Sequence, residues 1–79
     1  MTLRDLPLDT PALVTEVCNT SGGDIISQRL RELGFVPGEP VEVVGRGPLG
    51  GEPLLIRIGF TRFALRGNEA ERVVVERIG

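Results

Sequence analysis

Arg29-Leu30-Arg31-Glu32-Leu33-Gly34-Phe35-Val36-Pro37-Gly38-Glu39-Pro40-Val41-Glu42-Val43-Val44 decides the fold of this chain, because it spells helix end, helix stop, turn and strand without a gap. Leu30 and Leu33 continue an apolar stripe begun by Ile26 at helical spacing, i, i+4 and i+7. Gly34 follows where a helix ends in a residue of positive φ, and Pro37-Gly38 is turn chemistry. Val41 and Val43 then alternate with Glu42, which predicts a half-buried strand. A helix that feeds a strand this abruptly belongs to a compact small domain.

Working outward toward the N-terminus, Ala12-Leu13-Val14-Thr15-Glu16-Val17 is rich in β-branched residues and predicts the first strand. Leu3-Arg4-Asp5-Leu6 reads as a short lead-in, and Pro7 and Pro11 bracket a turn. Residues 19–23 read as a loop, with Ser21 or Asp24 available to cap the helix. Toward the C-terminus, a second strand is expected over residues 41–45. The run Arg46-Gly47-Pro48-Leu49-Gly50-Gly51-Glu52-Pro53 is too dense in Gly and Pro for a regular element and reads as a long loop. A third strand spans residues 54–58, a fourth runs from Thr61 to Leu65, and a fifth covers residues 72–76. Residues 66–70 read as irregular or as a single helical turn.

Gly59-Phe60 suits a two-residue turn of type II′, which wants Gly first, and that turn fixes a register. Ile58 falls opposite Thr61, Arg57 opposite Arg62, Ile56 opposite Phe63 and Leu54 opposite Leu65. If the preceding hairpin pairs Gly45 with Leu54, Val43 faces Ile56 and Glu42 faces Arg57. The inner face then holds Val41, Val43, Leu54, Ile56, Ile58, Phe63 and Leu65. On the outer face Glu42 offsets the Arg57 and Arg62 repulsion by about 0.5 kcal/mol, as an exposed ion pair does. Beside that charge row, Val44, Leu55 and Ala64 form an outward apolar row that a monomer has no reason to expose. Together with Leu49 in the Gly-rich loop, it is the candidate partner-binding surface.

At 79 residues the chain is expected to be one domain, residues 1–79, with a thin stability margin and no room for an internal substrate cavity. Its nine basic residues are all Arg and its net charge is −2. A weakly acidic chain without Trp or Tyr lacks the footprint and the stacking platform of nucleic-acid binders. With one cysteine and no histidine it builds neither an internal disulfide nor a His/Cys zinc site, which fits a reducing cytoplasmic home. No apolar run reaches signal-peptide or membrane-span length, so direct membrane insertion is not expected.

Chemistry-bearing motifs are sparse. Gly45-Arg46-Gly47-Pro48-Leu49-Gly50 matches the dinucleotide pattern, but Pro48, Gly51 and Pro53 block the helix that gives it meaning. Pro37-Gly38-Glu39-Pro40 reads as a turn before a strand rather than a proline ligand, and three Phe do not furnish a proline-binding groove. Cys18, after the first strand, is expected as a small buried hydrophobe. The carboxylates Asp24, Glu32, Glu39, Glu52, Glu69 and Glu71 are scattered singly, so weak peripheral binding of a divalent metal is the most they allow. Arg29, Arg62 and Arg66 form a candidate anion site, with ion pairing the simpler expectation. Without His, Lys, Tyr or a nucleophile beside a base, the inventory predicts no enzyme and no required cofactor.

The segments Arg29-Leu30-x-Glu32-Leu33-Gly34-Phe35-Val36-Pro37-Gly38, Pro48-Leu49-Gly50-Gly51-Glu52-Pro53, Ala64-Leu65-Arg66 and Glu69-Ala70 together resemble the FeoA family, over nearly the whole chain. The resemblance implies a mainly β fold, a small SH3-like β-barrel of about five strands with a helical insertion between the first and second. It also implies a cytoplasmic accessory or regulator of ferrous iron uptake. Its partner would be the membrane transporter FeoB, with its cytoplasmic GTPase region, to which a monomer or weak oligomer is recruited at the inner membrane. A related domain closes DtxR-type repressors, so the alternative reading is a metal-responsive regulatory module.

Overall fold

The computed structural model describes residues 1–19 and 25–78. Five antiparallel strands, β1 (Ala12–Val17), β2 (Pro40–Gly47), β3 (Gly51–Ile58), β4 (Thr61–Leu65) and β5 (Val73–Arg77), make one sheet in the order β4-β3-β2-β1-β5. Helix α1 (Ile25–Glu32) lies between β1 and β2, and the one-turn α2 (Gly67–Ala70) between β4 and β5. The sheet curls around a single apolar core but does not close, since β4 and β5 are not paired. Ser21 and Asp24, the expected caps of α1, lie outside the described residues.

The stretch from Arg29 to Val44 does what its residues dictate. Gly34 takes φ 111°, its N–H donates to Arg31 O at 3.1 Å, and Phe35 N–H donates to Leu30 O at 3.1 Å. This is a Schellman stop, and its two flanking apolar residues, Leu30 and Phe35, are both buried in the core. Pro37-Gly38 then forms a type II turn, with φ 90° at Gly38 and Glu39 N–H donating to Val36 O at 3.1 Å. The turn docks on β1, where Gly38 N–H donates to Val14 O and Val14 N–H to Glu39 O. Ile26 and Leu33 pack against the core from the flank of α1, and buried Ser27 donates its hydroxyl to Cys18 O at 2.7 Å.

The β3/β4 register is the one the two-residue turn dictates, from Ile58↔Thr61 to Leu54↔Leu65. Gly59 takes φ 57° while Phe60 keeps negative φ, as a turn with Gly first requires. The β2/β3 register agrees at Glu42↔Arg57 and Val43↔Ile56 but then shifts: Gly45 pairs with Leu55 and Arg46 with Leu54, so the expected Gly45 and Leu54 pairing is corrected. A bulge inserts Val44 as the extra residue. The expected inner residues are buried, apart from half-buried Phe63.

Three further expectations change. The Gly-rich run is not a long loop, because β2 reaches Gly47 and β3 begins at Gly51, leaving residues 48–50 as the connection. Pro53 is tolerated because the ladder is irregular there, with Arg46↔Leu54 followed directly by Gly47↔Gly51, so no bond to β2 is demanded of it. Second, residues 3–6 are no mere lead-in: Leu3 and Leu6 are 0% exposed. The N-terminal residues make one antiparallel bridge to β5, Thr2↔Val74, with Leu3 N–H on Val73 O at 3.0 Å and Val75 N–H on Met1 O at 2.8 Å. Third, Cys18 is exposed rather than buried, since the register shift in β1 after Val14 turns its end outward. Thr15, the extra residue of that shift, donates its hydroxyl to Val74 O at 3.1 Å.

Candidate functional site

Leu55 and Ala64 face each other across the β3/β4 ladder, and Val44 and Gly45 together oppose Leu55 from β2. In a bulge of this kind both residues of the longer strand share the face of the residue opposite, so the outer apolar row survives the register shift. Val44 and Leu55 are half-buried and Ala64 is exposed. Gly45 keeps the row shallow: a Cβ there would meet Leu55 Cβ at 3.6 Å. Leu49 stands apart at the tip of the β2/β3 hairpin, 80% exposed, beyond the Gly47↔Gly51 pair. Three of the four expected residues are thus contiguous, and the fourth crowns the hairpin that carries two of them.

The base of that hairpin tip is held firmly. Arg46 Nη2 donates to Leu6 O at 3.0 Å and Arg4 O at 3.2 Å, fastening β2 to the N-terminal segment. A Cβ at Gly47 would lie 2.2 Å from Glu52 O, so only glycine lets the two strands approach here. The Glu52 carboxylate accepts the N–H of Gly67, tying β3 to the start of α2, and Glu69 accepts Arg66 N–H at 2.8 Å. The outer charge row is as expected: Arg57 sits opposite Arg62 and donates to Glu42 at 3.0 Å.

Arg29, Arg62 and Arg66 do not converge on one anion site. Arg62 lies beside the Phe60 turn, in an open groove with Pro11, Pro40 and Arg57, while Arg29 and Arg66 line a second groove between α1 and β4. None of the three has an ion pair among the described residues. Sequence reasoning missed this second groove, about 640 Å³ in volume. It also missed Phe60 and Ile25, which are almost wholly exposed. A lone Phe in a two-residue turn was the available signal for the first of these.

Among the described residues no three His, Cys, Asp or Glu side chains come together as a metal site. The one thiol, Cys18, donates to Glu16 Oε1 at 3.3 Å. That hydrogen bond, with some desolvation and the carboxylate's charge, raises its pKa above the ordinary thiol value and makes it a poorer nucleophile and metal ligand. Nor is any helix among the described residues long and apolar enough to cross a membrane.

Comparison with known proteins agrees with this geometry. No curated protein sequence matches the chain. A crystal structure of Stenotrophomonas maltophilia FeoA complexed with zinc is 60% identical, with a TM-score of 0.89, covering 96% of this chain and 89% of that one. It is described as an SH3 domain protein and a possible ferrous iron transport activating factor. The solution structure of iron(II) transport protein A from Clostridium thermocellum is 36% identical at a TM-score of 0.84, covering 99% of this chain and 46% of that one. The manganese regulator SloR shares the fold at 12% identity and a TM-score of 0.77, over 99% of this chain and 34% of its own. The family model for the FeoA domain matches residues 1–77, and the chain belongs to the FeoA family.

Proposed function

We propose that this protein is a small accessory factor of ferrous iron uptake. It works on the cytoplasmic side of the membrane by docking on the cytoplasmic region of the transporter FeoB and shifting its working state. The observation that carries the reading is the outer apolar row of Val44, Leu55 and Ala64, crowned by Leu49 at 80% exposure, on a chain of this family. An adaptor needs such an apolar patch with a charged rim, here Glu42, Arg57 and Arg62, and needs no catalytic set. No cofactor enters this reading.

The test is GTP hydrolysis and ferrous iron uptake by the matching transporter, each measured with and without this protein. A change in either rate that saturates with added protein supports the reading. Identical rates at saturating protein overturn it.

A further inference from the structure

Of the two lateral edges of the sheet, only one is covered among the described residues. The β5 edge carries the N-terminal segment, through Leu3 N–H on Val73 O and Val75 N–H on Met1 O. The β4 edge carries nothing comparable. In a two-residue hairpin the residues flanking the turn exchange both ladder hydrogen bonds, so Thr61, Phe63 and Leu65 point their backbone groups toward β3. Arg62 and Ala64 therefore turn their N–H and C=O groups outward, where they have no backbone partner among the described residues. An open edge of this kind is a template for another strand.

The groove beside this edge is shaped for one. Its 640 Å³ straddle β4, with Ile26 of α1, Leu33 just past the end of α1 and Phe63 of β4 forming an apolar floor, and with Ala64 lining it from the opposite face of the strand. Arg29 and Arg66 also line it, and Arg62 stands on the edge itself. Among the described residues the only acidic one lining it is Glu69, whose carboxylate already accepts Arg66 N–H. On a chain of net charge −2 this is a local positive strip.

We propose that the β4 edge is a strand-addition site for an extended segment of a partner protein in which apolar residues alternate with acidic ones. Main-chain bonds to Arg62 and Ala64 hold the segment, alternate apolar side chains enter the floor between Phe63 and α1, and the acidic ones reach Arg29, Arg62 and Arg66. The charge selects this occupant over a second copy of the chain. Residues 61–65 include Arg62 and no acidic residue, so pairing β4 with itself would bring two arginine-bearing edges together. The site differs from the outer apolar row in using backbone groups and positive charge, and it stands whichever protein supplies the segment.

The probe is a blocked heptapeptide alternating valine with aspartate and glutamate, against its counterpart with lysine at the acidic positions. Amide exchange and chemical shifts of the full-length protein are read by NMR. The acidic peptide is expected to bind at least about tenfold more tightly than the lysine one and to weaken with salt. It should slow exchange at the amides of Arg62 and Ala64 about tenfold or more, with little change at those already paired to β3. Binding should be lost in Ala64→Pro, which removes one edge donor, and in Arg62→Glu, which keeps both and reverses the charge. Equal binding of the two peptides, unprotected Arg62 and Ala64 amides, or self-association of the protein through β4 would each overturn the proposal.

Discussion

Truncating Leu6 to alanine should remove a large part of this protein's stability, although the sequence around it reads as a disposable lead-in. Leu6 is 0% exposed, packed in the core with Leu3, and its carbonyl accepts Arg46 Nη2 at 3.0 Å. Leu→Ala deletes three carbons, worth about 2.4 kcal/mol at about 0.8 kcal/mol per buried methylene, and the cavity left behind brings the loss to about 3–4 kcal/mol. A chain of 79 residues is expected to have only about 4–12 kcal/mol in total. With about 4–8 °C lost per kcal/mol in a domain of this size, the melting midpoint should fall by at least about 12 °C. Thermal and urea unfolding followed by circular dichroism reads this without needing a Trp. Leu8→Ala, two residues on and 48% exposed, is the control and should cost about 0.5 kcal/mol or less. A Leu6→Ala midpoint within about 3 °C of the parent, or equal to that of Leu8→Ala, would refute the assignment of the N-terminal segment to the core.

Gly47→Ala should destabilise by at least about 2 kcal/mol, since its Cβ meets a backbone oxygen at 2.2 Å, whereas Gly50→Ala has open space and should cost about 1 kcal/mol for its positive φ. Chemical denaturation of the two variants distinguishes them. Glu42→Gln removes the ion pair with Arg57 and leaves Arg57 facing Arg62; the loss should be about 0.5 kcal/mol and should vanish in about 1 M salt. Because Glu16 raises the Cys18 pKa, less thiolate is present at pH 8 than for an ordinary thiol, so iodoacetamide should alkylate Cys18 slowly. Glu16→Ala, which removes both the hydrogen-bond acceptor and the charge, should speed that reaction, and an unchanged rate would remove Glu16 as the cause.

What the sequence shows well is whatever local chemistry determines. Gly34, Pro37-Gly38 and Gly59 each impose a backbone conformation on their own residues, so the helix stop, the turn and the β3/β4 register are readable before any tertiary contact is known. What it hides depends on distant partners. Leu3 and Leu6 look like a lead-in until the N-terminal residues are found bridged to β5 at Thr2 and both leucines are found buried in the core. Pro53 looks like a strand breaker until the ladder irregularity excuses it from pairing. The same limit applies to function. The Val44, Leu55 and Ala64 row is readable from alternation, but the groove beside β4 is lined by Ile26 of α1 together with Phe63 and Ala64, and no local pattern announces that they share a groove.

The most direct test of the account is co-purification of this protein with the cytoplasmic region of FeoB, using the parent chain, Leu49→Glu and Leu55→Glu. Leu49 is 80% exposed, so its substitution leaves the core untouched and separates docking from folding. The account predicts that the parent is retained and that both variants are lost while their circular dichroism is unchanged. Retention of both variants at parental levels, or no retention of the parent, would contradict it.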